Sequence, residues 1–183
     1  MNKKTLYQTL EDRQNPDEVE NNGPFKCKNK KAWLGFGYYF WDSFIENAHW
    51  WGENNLSREY IIGKTYFDFN ESTCFDLVGN TNHLNDFWEI VQEYRMQGLI
   101  DKDTKVVEII SHLKKNKIFN YPSIRVSSTK SDYHSNQYSI KFVDFNKSIL
   151  ELKPLIQICI YDLCATKVAP LVIVHPEHYK NDL

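Results

Sequence analysis

The residues of this 183-residue chain best suited to chemistry form one glycine-bearing aromatic run, Leu34-Gly35-Phe36-Gly37-Tyr38-Tyr39-Phe40-Trp41-Asp42. Glycine lets other groups approach the backbone closely, and a ring beside such a backbone can hold another flat ring by offset stacking. Gln8 and Gln137 each carry a donor and an acceptor in one carboxamide, a chemistry suited to hydroxyl groups. Lys26, Lys28, Lys30 and Lys31 make a short basic run beside Phe25 and Trp33, which reads as a solvated loop able to meet phosphate groups. Trp50-Trp51 offers a further stacking surface, with one of the two rings expected in the core. Metal chemistry is poorly served. His175 and His178 stand three apart, but Pro176 between them disfavours the helix that would align their rings, so no metal site is expected. Cys27, Cys74, Cys159 and Cys164 have neither zinc-knuckle nor redox spacing and read as reduced structural thiols.

These residues must be positioned by an ordered set of elements. Leu6 to Thr9 lies in an opening strand, and Glu11 to Lys31, with Pro16, Gly23 and Pro24, reads as a long loop. After the aromatic run, Asp42 or Ser43 can cap a helix through about Gly52, with Phe44, Ala48 and Trp51 on one face. Tyr60 to Ile62 and Thr65 to Phe67 read as strand around Gly63, and Cys74 to Val78 as a short strand before the turn at Gly79-Asn80. Leu84, Phe87, Trp88, Val91 and Tyr94 recur at helical spacing, with Thr81 or Asn82 to start and Gly98 to stop. A second helix carries Val106, Val107, Ile109, Ile110 and Leu113, and ends on Lys114 and Lys115, where cations suit the helix dipole. Beyond a polar stretch from Ser127 to Asn136, strands are expected at Gln137 to Val143, Leu155 to Tyr161 and Leu171 to Val174. The succession predicts an α+β fold.

The run from Gly35 to Asp42, with Ala48 on the helix that follows, resembles the second motif of the ADP-ribosyltransferase family, Gly-x-Gly-x-Tyr-Phe-x-Asp in poly(ADP-ribose) polymerases and many bacterial relatives. Leu6-Tyr7-Gln8-Thr9 falls where that family has its opening-strand motif. Asn136-Gln137-Tyr138-Ser139-Ile140-Lys141-Phe142 resembles the strand that carries its catalytic glutamate. The resemblance implies a split β-sheet core with flanking helices, NAD as the substrate, and stacking of nicotinamide on Tyr39. It also implies cofactor contacts from Gln8, Thr9, Gly37 and Ala48, with Gln137 in the glutamate's place. Three positions depart from the family pattern, the first being Gln8, which stands where the family has His or Arg. Thr9 replaces a glycine, and Gln137 can orient a hydroxyl but supplies no negative charge, a loss on the order of a hundredfold in rate. The implied activity is therefore transfer of single ADP-ribose units, in the glycosyltransferase class, to a protein or nucleic acid, in the manner of a toxin or host-modifying effector. The alternative is a catalytically inactive module of the same fold that binds a nucleotide or a protein partner. Glu46, Glu53 and Asp132 are carboxylates that can replace the missing glutamate, with nothing in their spacing to choose among them.

Composition limits the remaining classes. Lys and Arg number 22 against 24 Asp and Glu, a formal charge of −2, which argues against stable binding of duplex DNA. No apolar stretch approaches a membrane span, and the polar N-terminus has no signal-peptide core, so a cytoplasmic protein is expected. One domain over residues 1–183 is the expected organisation. Aromatic residues make up 15% of the chain, enough that most of them must serve the core rather than a site.

Overall fold

Alternation decides the first element: Leu6 and Gln8 are buried while Thr5, Tyr7 and Thr9 are half-buried, the period of a strand with two different faces. The computed structural model describes residues 2–128, 138–142 and 149–180. In chain order it contains β1 (Asn2–Glu11), α1 (Pro16–Asn22), β2 (Tyr38–Asp42), α2 (Ile45–Asn55), β3 (Tyr60–Phe69), β4 (Cys74–Asp76), α3 (Thr81–Met96) and α4 (Val106–Lys115). There follow β5 (Ser123–Ser127), β6 (Ser139–Lys141), β7 (Ile149–Glu151), β8 (Ile156–Ile160), α5 (Leu163–Thr166) and β9 (Val172–His175). The fold is α+β. Seven strands form one sheet in the order β4-β5-β8-β2-β1-β3-β9, antiparallel except for the β4–β5 pair, and β6 pairs with β7 separately.

Both faces of the sheet are covered. On one, Leu6, Phe40, Ile158 and Ile160 pack with Phe67, Ile173 and Val19 of α1. On the other, Ile124, Val126 and Cys159 lie under Leu34 and Ile110 of α4, while Trp41 and Ile62 lie under Ala48 of α2. A charged group crosses this core. Arg125 of β5 donates from Nε to Asp42 at 2.7 Å and from Nη1 to Asp76 at 3.1 Å, tying the end of β2 to β4. Burial works against its charge, but the hydrogen bond and field of Asp42, with Asp76, outweigh that and raise the guanidinium pKa.

Several expected boundaries shift. The predicted loop Glu11 to Lys31 contains α1, started by Pro16 at a position where its missing N–H costs nothing and anchored by buried Val19. Asp42 and Ser43 do not cap α2. Asp42 ends β2 inside the ion pair, Ser43 has φ +68°, and the helix starts at Ile45. The strands around Gly63 are one strand, β3. The cap of α3 is Asn80, whose side chain accepts from the N–H groups of Asn82 and His83. β5 was not expected, because Arg125 interrupts its apolar pattern. The strand expected at Gln137 to Val143 is represented by β6, and its two ends lie outside the described residues.

Candidate functional site

The ladder between β1 and β2 is short. Leu6 pairs with Asp42 and Tyr7 with Trp41, whereas β1 pairs with β3 along its whole length. The Ser43 N–H donates to the Thr5 carbonyl, which fixes the alternation: odd-numbered residues of β1 turn their N–H and C=O toward β2. Thr9 therefore turns its peptide groups toward Tyr39, yet this pair is not part of the ladder. The Tyr39 carbonyl instead receives a long hydrogen bond, 3.4 Å, from the Gln8 side chain. Where the strands part, a cleft of about 310 Å³ opens.

Its walls are largely aromatic. Tyr39 and Trp41 of β2, Trp51 of α2, and Phe25 and Trp33 of the loop between α1 and β2 all line it, with Gln157 of β8 as a polar member. The Trp33 indole N–H donates to Gln157 Oε1 at 2.7 Å, which leaves the Gln157 amide hydrogens as the donors of that group. Lys26 and Asn29 stand at the loop side. Among the described residues no carboxylate lines the cleft.

Tyr39 is fixed by its own neighbourhood. Its hydroxyl accepts from the Leu34 N–H at 3.0 Å and donates to the Gly35 carbonyl at 2.8 Å, closing a turn in which Gly35 has φ +85°. Such a φ suits glycine. Burial raises the phenol's pKa and keeps it protonated, with Cys159 adding to the effect. Cys159 is itself pushed up to about 12 by burial, so it remains a thiol.

The other expected contact residues take structural positions. The Gln8 carboxamide behaves like a peptide: Oε1 accepts from the Phe25 N–H at 2.8 Å and Nε2 donates to the Phe25 carbonyl at 2.9 Å. Its polar atoms are thus committed to holding the aromatic loop against β1. Thr9 Oγ1 donates to the Ala48 carbonyl at 2.9 Å and binds α2 to β1, while Ala48 is fully buried. Gly37 sits where a Cβ would lie 2.4 Å from Cys159 Sγ, so its small size serves packing on β8. Gln137 and Asp132 lie outside the described residues. Glu46 pairs with Lys153 and Glu53 accepts from the Tyr60 hydroxyl at 3.4 Å, neither at the cleft.

Trp33 and Gln157 are the members that sequence reasoning missed. The available signal was one polar residue inside the apolar run Leu155 to Tyr161, a position that a buried strand fills with a polar side chain only where it has a partner. Among the described residues no group of His, Cys, Asp and Glu has the arrangement of a metal site, and no helix is long and apolar enough to cross a membrane. Comparison with family models, with curated proteins and with solved structures finds no match to this chain.

Proposed function

We propose that this chain binds NAD in the cleft between β1 and β2 and transfers single ADP-ribose units to a macromolecular acceptor, as its resemblance to ADP-ribosyltransferases implies. The observation that carries the reading is the coincidence of that cleft with the resembling segments: Thr9 and Tyr39 face each other across the parting of the strands. A flat aromatic amide suits both features of the place. Rings on several sides offer stacking, and the Thr9 peptide, turned toward the opening, offers a donor and an acceptor to a carboxamide. The parting of β1 from β2 also supports the split-sheet core implied by the same resemblance.

Volume limits how much of the dinucleotide enters. About 310 Å³ is near the lower end of small-molecule sites, roughly 300–1,000 Å³, enough for the nicotinamide and its ribose. The pyrophosphate would then lie toward Lys26 and the lysines that follow it. The ribose contact expected of Gln8 passes to Gln157, whose amide is oriented by Trp33 and not consumed by the backbone. In the reaction the bond between nicotinamide and ribose breaks, its electron pair leaving with nicotinamide. Positive charge develops at the anomeric carbon, and an acceptor nucleophile closes on that carbon and gives up its proton.

A specific observation favours the second reading, a nucleotide-binding module without turnover: the described lining of the cleft contains no carboxylate to steady that positive charge. One experiment separates the two. Purified protein is incubated with NAD and cell lysate, and nicotinamide release is measured beside thermal shift in NAD alone. Release that is lost in a folded Tyr39→Ala variant supports the transferase. A thermal shift without release supports the module, and neither effect rejects both.

A further inference from the structure

Opposite residues of an antiparallel pair turn their side chains to the same face of a sheet. The register therefore sets two rows on one face of β1, β3 and β9: Tyr7 with Lys64 and Val172, and Thr5 with Tyr66. The first row continues into β2, where Trp41, a wall of the cleft, stands opposite Tyr7. On this face α2 covers Trp41 and Ile62 and reaches Tyr7 only in part. Beyond it the face is open: Tyr66 is 45% exposed and Val172 53%, with Tyr7 and Lys64 half-buried beside them. The two phenol rings are diagonal neighbours, roughly 7 Å apart at the backbone, so each can take a flat partner of its own. Lys64 Nζ lies 5.3 Å from the centre of the Tyr66 ring, and among the described residues it forms no ion pair. The carboxylates on or beside this face have cations of their own: Glu46 pairs with Lys153, and Asp68 stands opposite exposed Lys3.

We propose that this face of β1 and β3 binds single-stranded nucleic acid, with Tyr66 and Tyr7 stacking on bases and Lys64 holding a phosphate. An unpaired strand offers what these groups lack, an open ring face on every base and a negative charge on every link. A duplex hides its base faces in its own stack, and a formal charge of −2 leaves the chain no surplus of cations to hold one by phosphates alone. A protein partner is a poorer match, because lysine is depleted at the centre of such interfaces and the Lys64 ammonium would be stripped of water there without a counter-charge. A strand held on this face runs past the cleft wall at Trp41, and its binding does not depend on NAD.

The test is fluorescence anisotropy of the full chain with labelled oligouridylate and oligothymidylate of about ten nucleotides, at low salt and then as salt is raised. The expected result is saturable binding of both single strands, with a duplex of the same length bound about tenfold more weakly or less. Tyr66→Ala should weaken binding about tenfold, the loss of one stacked base, while Tyr66→Phe, which keeps the ring, should not. Both replace an exposed side chain, and circular dichroism checks the fold. Lys64→Gln should reduce the slope of log affinity against log salt by about 0.7, the share of one phosphate. Absence of binding at submillimolar protein, or a duplex bound as tightly as the strand, would overturn the proposal. So would an affinity unchanged in Tyr66→Ala, a salt slope unchanged in Lys64→Gln, or displacement by NAD, which would put the strand in the cleft instead.

Discussion

Tyr39 lines the cleft and is anchored by its hydroxyl to the Leu34–Gly35 turn, so the roles of hydroxyl and ring can be separated by substitution. Tyr39→Phe should lower stability by about 2 kcal/mol, because the Leu34 N–H loses its acceptor and the Gly35 carbonyl its donor, yet NAD affinity should persist. Tyr39→Ala should abolish binding. Denaturant unfolding and calorimetric titration measure the two effects separately. Gln157 gives the sharper test of mechanism. Gln157→Glu keeps the acceptor for the Trp33 indole and adds a negative charge at the proposed ribose position, so nicotinamide release should rise, on the order of tenfold to a hundredfold. No gain in a folded variant that still binds NAD would separate Gln157 from the reacting carbon. The Tyr39 segment was legible in the sequence because its glycines and rings are contiguous. The Trp33–Gln157 pair was not, since its members are far apart in the chain and only the sheet brings them together.

Among the elements, β2 does most to position the site, and it is fixed at its far end by Arg125 between Asp42 and Asp76. Without the guanidinium, buried Asp42 keeps Lys4 at 3.7 Å and the Ser43 hydroxyl, while Asp76 keeps the Val78 and Gly79 N–H groups, so Arg125→Met should cost about 3 kcal/mol in chemical denaturation. The same arginine is the reason β5 escaped detection. Its pattern is broken by a charge whose partners lie on two other strands, and no local periodicity reports such a pairing. α1 was hidden for a different reason, being short, polar and held by one buried side chain, Val19. A second device joins α2, β3 and β9: His175 stacks on Tyr60 with ring centres 4.9 Å apart and meets His49 edge-on at 4.8 Å. Burial lowers the His175 pKa below its usual 6.5, with His49, Lys180 and His178 acting in the same sense and Glu177 opposing. A histidine depressed by folding binds its proton more readily when unfolded, so its contribution to stability is full above about pH 6.5 and is lost as pH falls through the folded value. Melting temperature should therefore drop between pH 6.5 and 5, and the drop should be smaller in His175→Gln.

At the scale of the whole molecule, the site is a discontinuity in a sheet that is otherwise continuous. β1 runs on along β3 while β2 runs on along β8, and the space between them is closed by a loop that Gln8 holds in place of a strand. The order of elements in the sequence was sufficient for the α+β class, whereas the point where two adjacent strands separate depends on the side chains that enter between them. The proposed entry of NAD at this parting is measured most directly by a titration of 15N-labelled protein with NAD, followed by the backbone amide of Thr9 and the indole N–H of Trp33. Saturable shifts at both, absent in Tyr39→Ala, are the predicted result. An unchanged Thr9 amide and Trp33 indole at millimolar NAD, or shifts confined to residues away from the cleft, would contradict it.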